Sequence, residues 1–433
     1  MRPAALLVVL AVAAGGCGFR PNATAPTNGV SAVSLRFKAL VDGNGARVND
    51  AVVVVQGDRI IHVGHGVGAI PAGTRVIDLR AYTAIPGMID VHTHMTYYRE
   101  KPPAEGAQSP PSPRSRDSII MFSAKNAMRT LETGVTAVRD LGASNYTDIA
   151  LRDSINKGVY PGPRMFVAGY GFSKATAGRG GAPPTRNPAQ GRIVDTADFE
   201  PAVKAQVAAG ADWIKMYGST GTYANVTGRQ TFTDEEMRVA VAAAHRYNRP
   251  IAIHSYGDSG GRAAMRAGAE SVEHPAGMDD ATLAEFVKRG TFYVPTVDHN
   301  RFYAENAPFL GYTKEQIAGL DSFRILNLET LRRAVKLHVK VAMGSDAVYW
   351  MFGENTRELE WFVKAGMTPA EALRAATMGG AELLRHSNDL GRVAPGYFAD
   401  IVAIAGDPLT DIDAVINGVK WVMKGGAVVV DKR

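Results

Sequence analysis

Between residues 85 and 390, eight short apolar runs alternate with longer helical stretches, and this alternation limits the possible folds more than any other feature of the chain. The runs fall at 88–92, 136–139, 164–167, 213–216, 251–254, 271–273, 292–294 and 341–343. Each reads as a strand. The segments between them read as helices, for example 234–247 and 369–385, the latter opened by Thr368 as N-cap and Pro369 in the first turn. Eight such strand–helix units predict an α/β architecture, a (β/α)8 TIM-like barrel over 85–390. Functional groups in such a barrel gather at the C-terminal ends of the strands.

The flanks have a different period. Residues 33–84 and 391–433 alternate apolar and polar positions with short turns, as in Val52-Val53-Val54-Val55 followed by Gly57-Asp58. Each block is too short for a good sandwich alone, so the two chain ends are expected to build one small β-sandwich domain together. Two long polar insertions, 99–116 and 173–191, follow the first and third barrel strands and would overhang the catalytic mouth.

With 46% apolar and 21% charged residues, the 433-residue chain has ample material for a core and does not have the composition of a disordered protein. Its surplus of 48 basic over 42 acidic residues is spread along the chain, which gives no footprint for nucleic acid. Beyond the first 20 residues no apolar run approaches a membrane span. Residues 1–17 read as an export signal: Arg2, then an apolar stretch, then Ala14-Gly15-Gly16-Cys17. This ending resembles a bacterial lipobox, with Ala14 where leucine is commoner, and marks Cys17 for lipidation. Cys17 is the only cysteine, so no internal disulfide can form. Residues 18–32 read as a tether. The expectation is an exported, periplasmic protein held to a membrane by a lipid anchor alone.

Four of the ten histidines fall at predicted strand ends. His92 and His94 are two apart on a strand, so their side chains share a face, an arrangement that suits a divalent metal ion. His254 and His274 end the fifth and sixth strands, and Asp346 the eighth; Asp346 could ligate metal or accept a proton. Lys215 stands on the otherwise apolar fourth strand. It reads either as a lysine snorkelling to solvent or as one that faces two cations, loses its proton and reacts with CO2 to give a bridging carbamate.

Several segments together, Pro86–His94, Gly134–Asp140, Ala211–Lys215, Ser271–His274 and Gly366–Ala372, resemble the amidohydrolase superfamily. They are most similar to its imidazolonepropionase-like branch, which includes Xaa-Pro dipeptidases (prolidases) and related amide hydrolases. The resemblance runs from about Val33 to Val430 and includes Gly396–Ile401 of the returning β domain. It implies two divalent metal ions, with zinc as the default. His92, His94 and Asp346 would bind one and His254 and His274 the other, with carboxylated Lys215 bridging both. A metal-bridging hydroxide would attack the carbonyl, and Asp346 would carry the proton to the leaving amine.

The resemblance thus predicts an enzyme acting on carbon–nitrogen bonds, with a small-molecule amide or dipeptide substrate. Xaa-Pro type dipeptides, N-acyl amino acids and ochratoxin-like amides are all candidates. A lactonase or phosphotriesterase on the same metal centre, a cyclic-amide hydrolase of imidazolonepropionase type and a lipid-anchored binding protein are the alternatives. Oligomerisation is possible. Tyr256, two residues after His254, reads either as a donor to the developing oxyanion or as a packing tyrosine at the barrel rim. Arg179 stands where relatives often carry histidine and is a candidate, with His299, for substrate contact.

Overall fold

The computed structural model describes residues 31–177, 182–221 and 226–433. Residues 1–17 with Cys17, most of the 18–32 segment, and Arg179 lie outside the described residues.

On the N-terminal side lie β1 (Val33–Val41), β2 (Arg47–Asn49), β3 (Ala51–Gln56), β4 (Arg59–His65) and β5 (Arg75–Pro86). The valine run of β3 suits a pleated, packed surface, and the two-residue turn Gly57-Asp58, with Gly57 at φ 60°, returns the chain into β4. The central region contributes β6 (Met88–Thr93), β7 (Val135–Asp140) and β8 (Arg164–Val167). After them come the small pair β9 (Ser173–Lys174) and β10 (Arg192–Ile193). Next are β11 (Ile214–Tyr217), β12 (Ile251–His254), β13 (Ser271–Glu273) and β14 (Phe292–Val294). The C-terminal side adds β15 (Ile401–Ile404), β16 (Val419–Lys424) and β17 (Ala427–Asp431).

Both chain ends enter one sheet, in the order β17-β16-β15-β5-β1-β3-β4 with β2 beside β1. The expected sandwich therefore takes the form of one continuous eight-stranded sheet and not two separately bonded ones. Antiparallel pairing of β5 with β15, Ile85 opposite Val402, is the seam between the ends. Period-two alternation divides their side chains. Phe37, Val53, Ile401 and Trp421 form a core of their own, whereas Ile85, Val402 and Val422 join the main core.

The central strands form two parallel sheets, β6-β7-β8 and β11-β12-β13-β14. Seven of the eight predicted runs match the observed strands to within one residue at each end. The eighth differs: 341–347 pairs only through isolated bridges, Val341 with Tyr293 and Ala347 with Thr93. The cause is local. Asp346 has φ 53°, outside the extended region, and Ser345 turns its N–H and hydroxyl to Asp90 (2.9 and 2.5 Å). Backbone hydrogen bonds nevertheless run from Phe172 to Lys215, from Tyr293 to Lys340 and from Asp346 to His92, linking the two sheets through their edges. Ile89, Val91, Ala137, Ala252 and Val294, from strands of both sheets, share one core.

Helices start where the capping residues place them. Thr233 with Glu236 and Thr368 with Glu371 form capping boxes at Asp234–Arg246 and Pro369–Arg374. The predicted 369–385 helix is interrupted by a π-turn, Ala375–Gly379, and ends at Leu383. There Gly380 packs so closely on Ile89 that a Cβ would lie 2.8 Å from Ile89 Cβ.

Candidate active site

One cavity of about 840 Å³ opens at the C-terminal ends of the parallel strands. β6 brings His92, with His94 one residue past its end. β11 brings Lys215 and Tyr217, β12 ends on His254, and β13 leads into His274. Asp346 enters from the 341–347 segment, so all six side chains expected to hold metal line the same cavity.

The cluster is tight. Asp346 Oδ1 lies 3.2 Å from His94 Nε2 and 3.5 Å from His92 Nε2, and Oδ2 lies 3.8 Å from His274 Nε2. The His274 ring centroid is 4.8 Å from those of both His92 and His254. Ligand atoms of His92, His274 and Asp346 fall within 4.8 Å of one another. Lys215 is 1% exposed, and it faces into the cavity and not outward to bulk water. Its Nζ lies 5.5 Å from the Tyr217 ring centroid and makes no hydrogen bond or close ion pair among the described residues.

Burial and mutual repulsion set the charge states. Burial, followed by the nearby Lys215 ammonium, pushes His92 down to about 4 and His254 well below the usual histidine range. Burial does the same to His274. Burial also lowers Lys215 to about 8. Asp346 goes the other way: despite burial, His299 and His92 hold its carboxyl well below the ordinary range. Neutral imidazoles around an ionised carboxylate make a donor set for a divalent cation. The Nε2 atoms of His92 and His254 fit it, since both are buried and lack a hydrogen-bond partner.

Supporting residues that sequence reasoning missed lie directly behind the ligands. Glu273 accepts from His92 Nδ1 (2.8 Å) and from Arg139 (2.9 Å), and all three side chains are fully buried. Burial opposes its charge, but Arg139 and His92 more than offset this and hold Glu273 at about 2. The contact leaves Nε2 of His92 as the free lone pair. Arg139 also donates to Val91 O and Ser271 Oγ and stacks 4.4 Å from Trp213, tying β6, β7 and β13 together. Thr296 Oγ1 meets His274 Nδ1, and Tyr97 stacks on His94 at 4.6 Å. A signal was present: Arg139 and Glu273 are charges inside apolar strand runs, and a buried charge needs a partner.

Tyr256 also lines the cavity, although β12 stops at His254. Its N–H is pinned by Ser219 Oγ (2.9 Å), and its ring lies 4.7 Å from His254 and 5.2 Å from His274. His299, on the helix Val297–Glu305, meets Asp346 twice. Its Nδ1 donates to the main-chain oxygen (2.8 Å), and its Nε2 lies 3.2 Å from Oδ2.

Comparison with known proteins agrees with this geometry. The amidohydrolase family profile matches residues 83–429. Ochratoxinase of Aspergillus niger is 29% identical over 439 aligned positions, covering 94% of this chain and 88% of the relative. A crystal structure of a Xaa-Pro dipeptidase with bound methionine in the active site superposes with a TM-score of 0.84 at 30% identity, covering 92% of this chain and 99% of that one. A prolidase complexed with N-methylphosphonate-L-proline gives 0.80 at 26%, covering 93% and 100%.

Proposed function

The chain belongs to the amidohydrolase family, and from that premise we propose that it cleaves amide bonds of dipeptide-like or N-acyl amino acid substrates with the help of two divalent cations. Xaa-Pro dipeptides and ochratoxin-like amides fall within this class. The observation that carries the reading is the convergence of His92, His94, Lys215, His254, His274 and Asp346 on one cavity, with two buried imidazole nitrogens left unpartnered. We read the two linked parallel sheets as a (β/α)8 barrel, its eighth position filled by the bridged 341–347 segment.

Zinc, the simplest choice for mixed nitrogen and oxygen donors, supplies Lewis acidity at the scissile carbonyl and lowers the pKa of bound water. The protein does the rest. His92, His94 and Asp346 would hold one ion, and His254 and His274 the other. Lys215 would link them as a carbamate: its ammonium gives up one proton, the free amine adds to CO2, and a second proton is lost. A buried cation among imidazoles would thereby become an anion suited to divalent cations. Asp346 accepts the proton of the attacking water and returns it to the leaving amine, a role typically worth ~10²–10⁴ in rate. Burial raises the Tyr256 phenol above its ordinary value, so it keeps its proton and can donate to the developing oxyanion. His299 positions Asp346 through both of its nitrogens.

On the first 17 residues alone, we place the enzyme outside the cytoplasm, anchored by lipid at Cys17. The test of function combines metal quantitation with a panel of dipeptides and N-acyl amino acids. The expected result is two ions per chain and amide turnover, both lost in Lys215→Ala. Two ions and full turnover in Lys215→Ala would contradict the reading.

A further inference from the structure

We infer that Glu358 is a positioning residue of the metal centre: it caps the helix Val297–Glu305, and so frees Thr296 to back His274 and seats His299 against Asp346. The inference rests on the metal-dependent reading above, which makes His274 and Asp346 ligands.

Thr296 stands at the start of that helix, where a threonine ordinarily bonds a first-turn N–H with its own hydroxyl from an extended backbone. It does neither. Its φ is 49°, in the left-handed region that β-branched residues rarely enter, and its side chain makes no cap bond. The hydroxyl meets His274 Nδ1 instead, which leaves His274 Nε2 for a metal ion. The carboxylate of Asp298 is engaged as well, by Arg301 Nε (2.7 Å) and Nη2 (2.8 Å) and by Trp361 Nε1 (2.8 Å).

Glu358 takes over the cap. Val297 N donates to its Oε1 (2.9 Å) and Asp298 N to its Oε2 (2.8 Å). Glu358 and Trp361 stand three apart on the helix Glu358–Lys364 and share a face, so one helix grips the first turn of the other at two points. On the far side of Thr296, Asn327 Nδ2 donates to Pro295 O (2.7 Å). Thr296 is thus held through both of its neighbours, as a strained backbone conformation requires. Glu358 is fully buried and does not line the cavity, so its influence on the site passes through the helix it caps. That helix delivers His299, whose two nitrogens meet Asp346, and Tyr303 on the cavity wall.

Two double-mutant cycles test the assignment, with Glu358→Gln common to both. The amide keeps the shape of the side chain but turns its NH2 group toward one of the two backbone N–H groups. In the first cycle zinc affinity is measured by chelator competition. Glu358→Gln and Thr296→Val are each expected to weaken zinc binding about 10-fold, and the two together less than about threefold further. In the second cycle kcat and KM are measured at saturating zinc with an amide that the wild type turns over. Glu358→Gln is expected to lower kcat about 10-fold with KM within about twofold, and to lower it less than about twofold in a His299→Asn background. A role in folding alone gives effects that add. Additive effects in either cycle, or wild-type values in Glu358→Gln, overturn the assignment. If Glu358→Gln does not fold, Glu358→Asp, whose carboxyl is drawn back from both N–H groups, takes its place under the same criteria. Zinc binding without turnover of any amide rejects the hydrolase reading, and the affinity cycle then decides the role of Glu358. A wild type that binds no zinc overturns both.

Discussion

Glu273→Gln tests whether a buried carboxylate sets the tautomer of a metal-binding histidine. The substitution keeps the shape of the side chain, and its amide oxygen can still accept from Arg139 and from Ser271 Oγ. The amide nitrogen then faces His92 Nδ1 across the 2.8 Å now bridged by a hydrogen bond. Two N–H groups cannot face each other there, so His92 must shift its proton to Nε2, the atom aimed at Asp346. Outer partners of ligating histidines typically account for 10- to 100-fold in metal affinity, or about 1.4–2.7 kcal/mol. The fold feels the change as well, because Arg139 and Glu273 are both fully buried. Removing one partner of such a pair costs about 3–5 kcal/mol, and the retained amide–Arg139 bond reduces this to about 2–3 kcal/mol. Metal affinity is measured by competition with a chelator, and stability by urea unfolding of the metal-free chain. Wild-type affinity in Glu273→Gln would refute the claim that this carboxylate sets the His92 tautomer.

Other predictions address neighbouring parts of the molecule. His299→Asn retains a donor for Asp346 O but loses the contact with its carboxylate; kcat is expected to fall about 10- to 100-fold at constant metal content, and an unchanged kcat speaks against a positioning role. Gly344→Ala places a Cβ 2.5 Å from Val294 Cγ1 and 2.9 Å from His92 Cβ, so a loss of about 1–3 kcal/mol in urea unfolding is expected. Lys424 is pushed down to about 8 by burial and by Arg164. Between that value and the ordinary lysine value of about 10.4, the unfolded chain binds more protons than the folded one. Stability should therefore rise across this window by up to about 3 kcal/mol, a rise that Lys424→Met removes. Unfolding curves at pH 7, 9 and 10.5 check it, and a flat wild-type profile counts against the burial argument.

Much of the site is legible in the chain because strand geometry is periodic. His92 and His94 share a face at a spacing of two, and His254, His274 and Asp346 sit where short apolar runs end, so convergence at one end of a parallel array follows. The eighth position was misjudged as a plain strand. Nothing local in Val341-Ala342-Met343-Gly344 announces that Ser345 will bond Asp90, some 255 positions earlier, and hold Asp346 at φ 53°. The roles of Glu273, Arg139 and Tyr97 were likewise hidden, since each depends on which strand becomes its neighbour.

Residue type and spacing alone therefore announced the alternation of strands and helices and the side chains, His92, His94, His254, His274 and Asp346, that gather at one end of the parallel strands. Pairing between distant segments decided the rest: the single sheet joining both chain ends, the carboxylate behind His92, and the histidine beside Asp346. The physical reason is that side-chain alternation is a property of the local backbone. Hydrogen-bond satisfaction and charge compensation in a buried site depend on groups brought together only when the whole chain closes on itself.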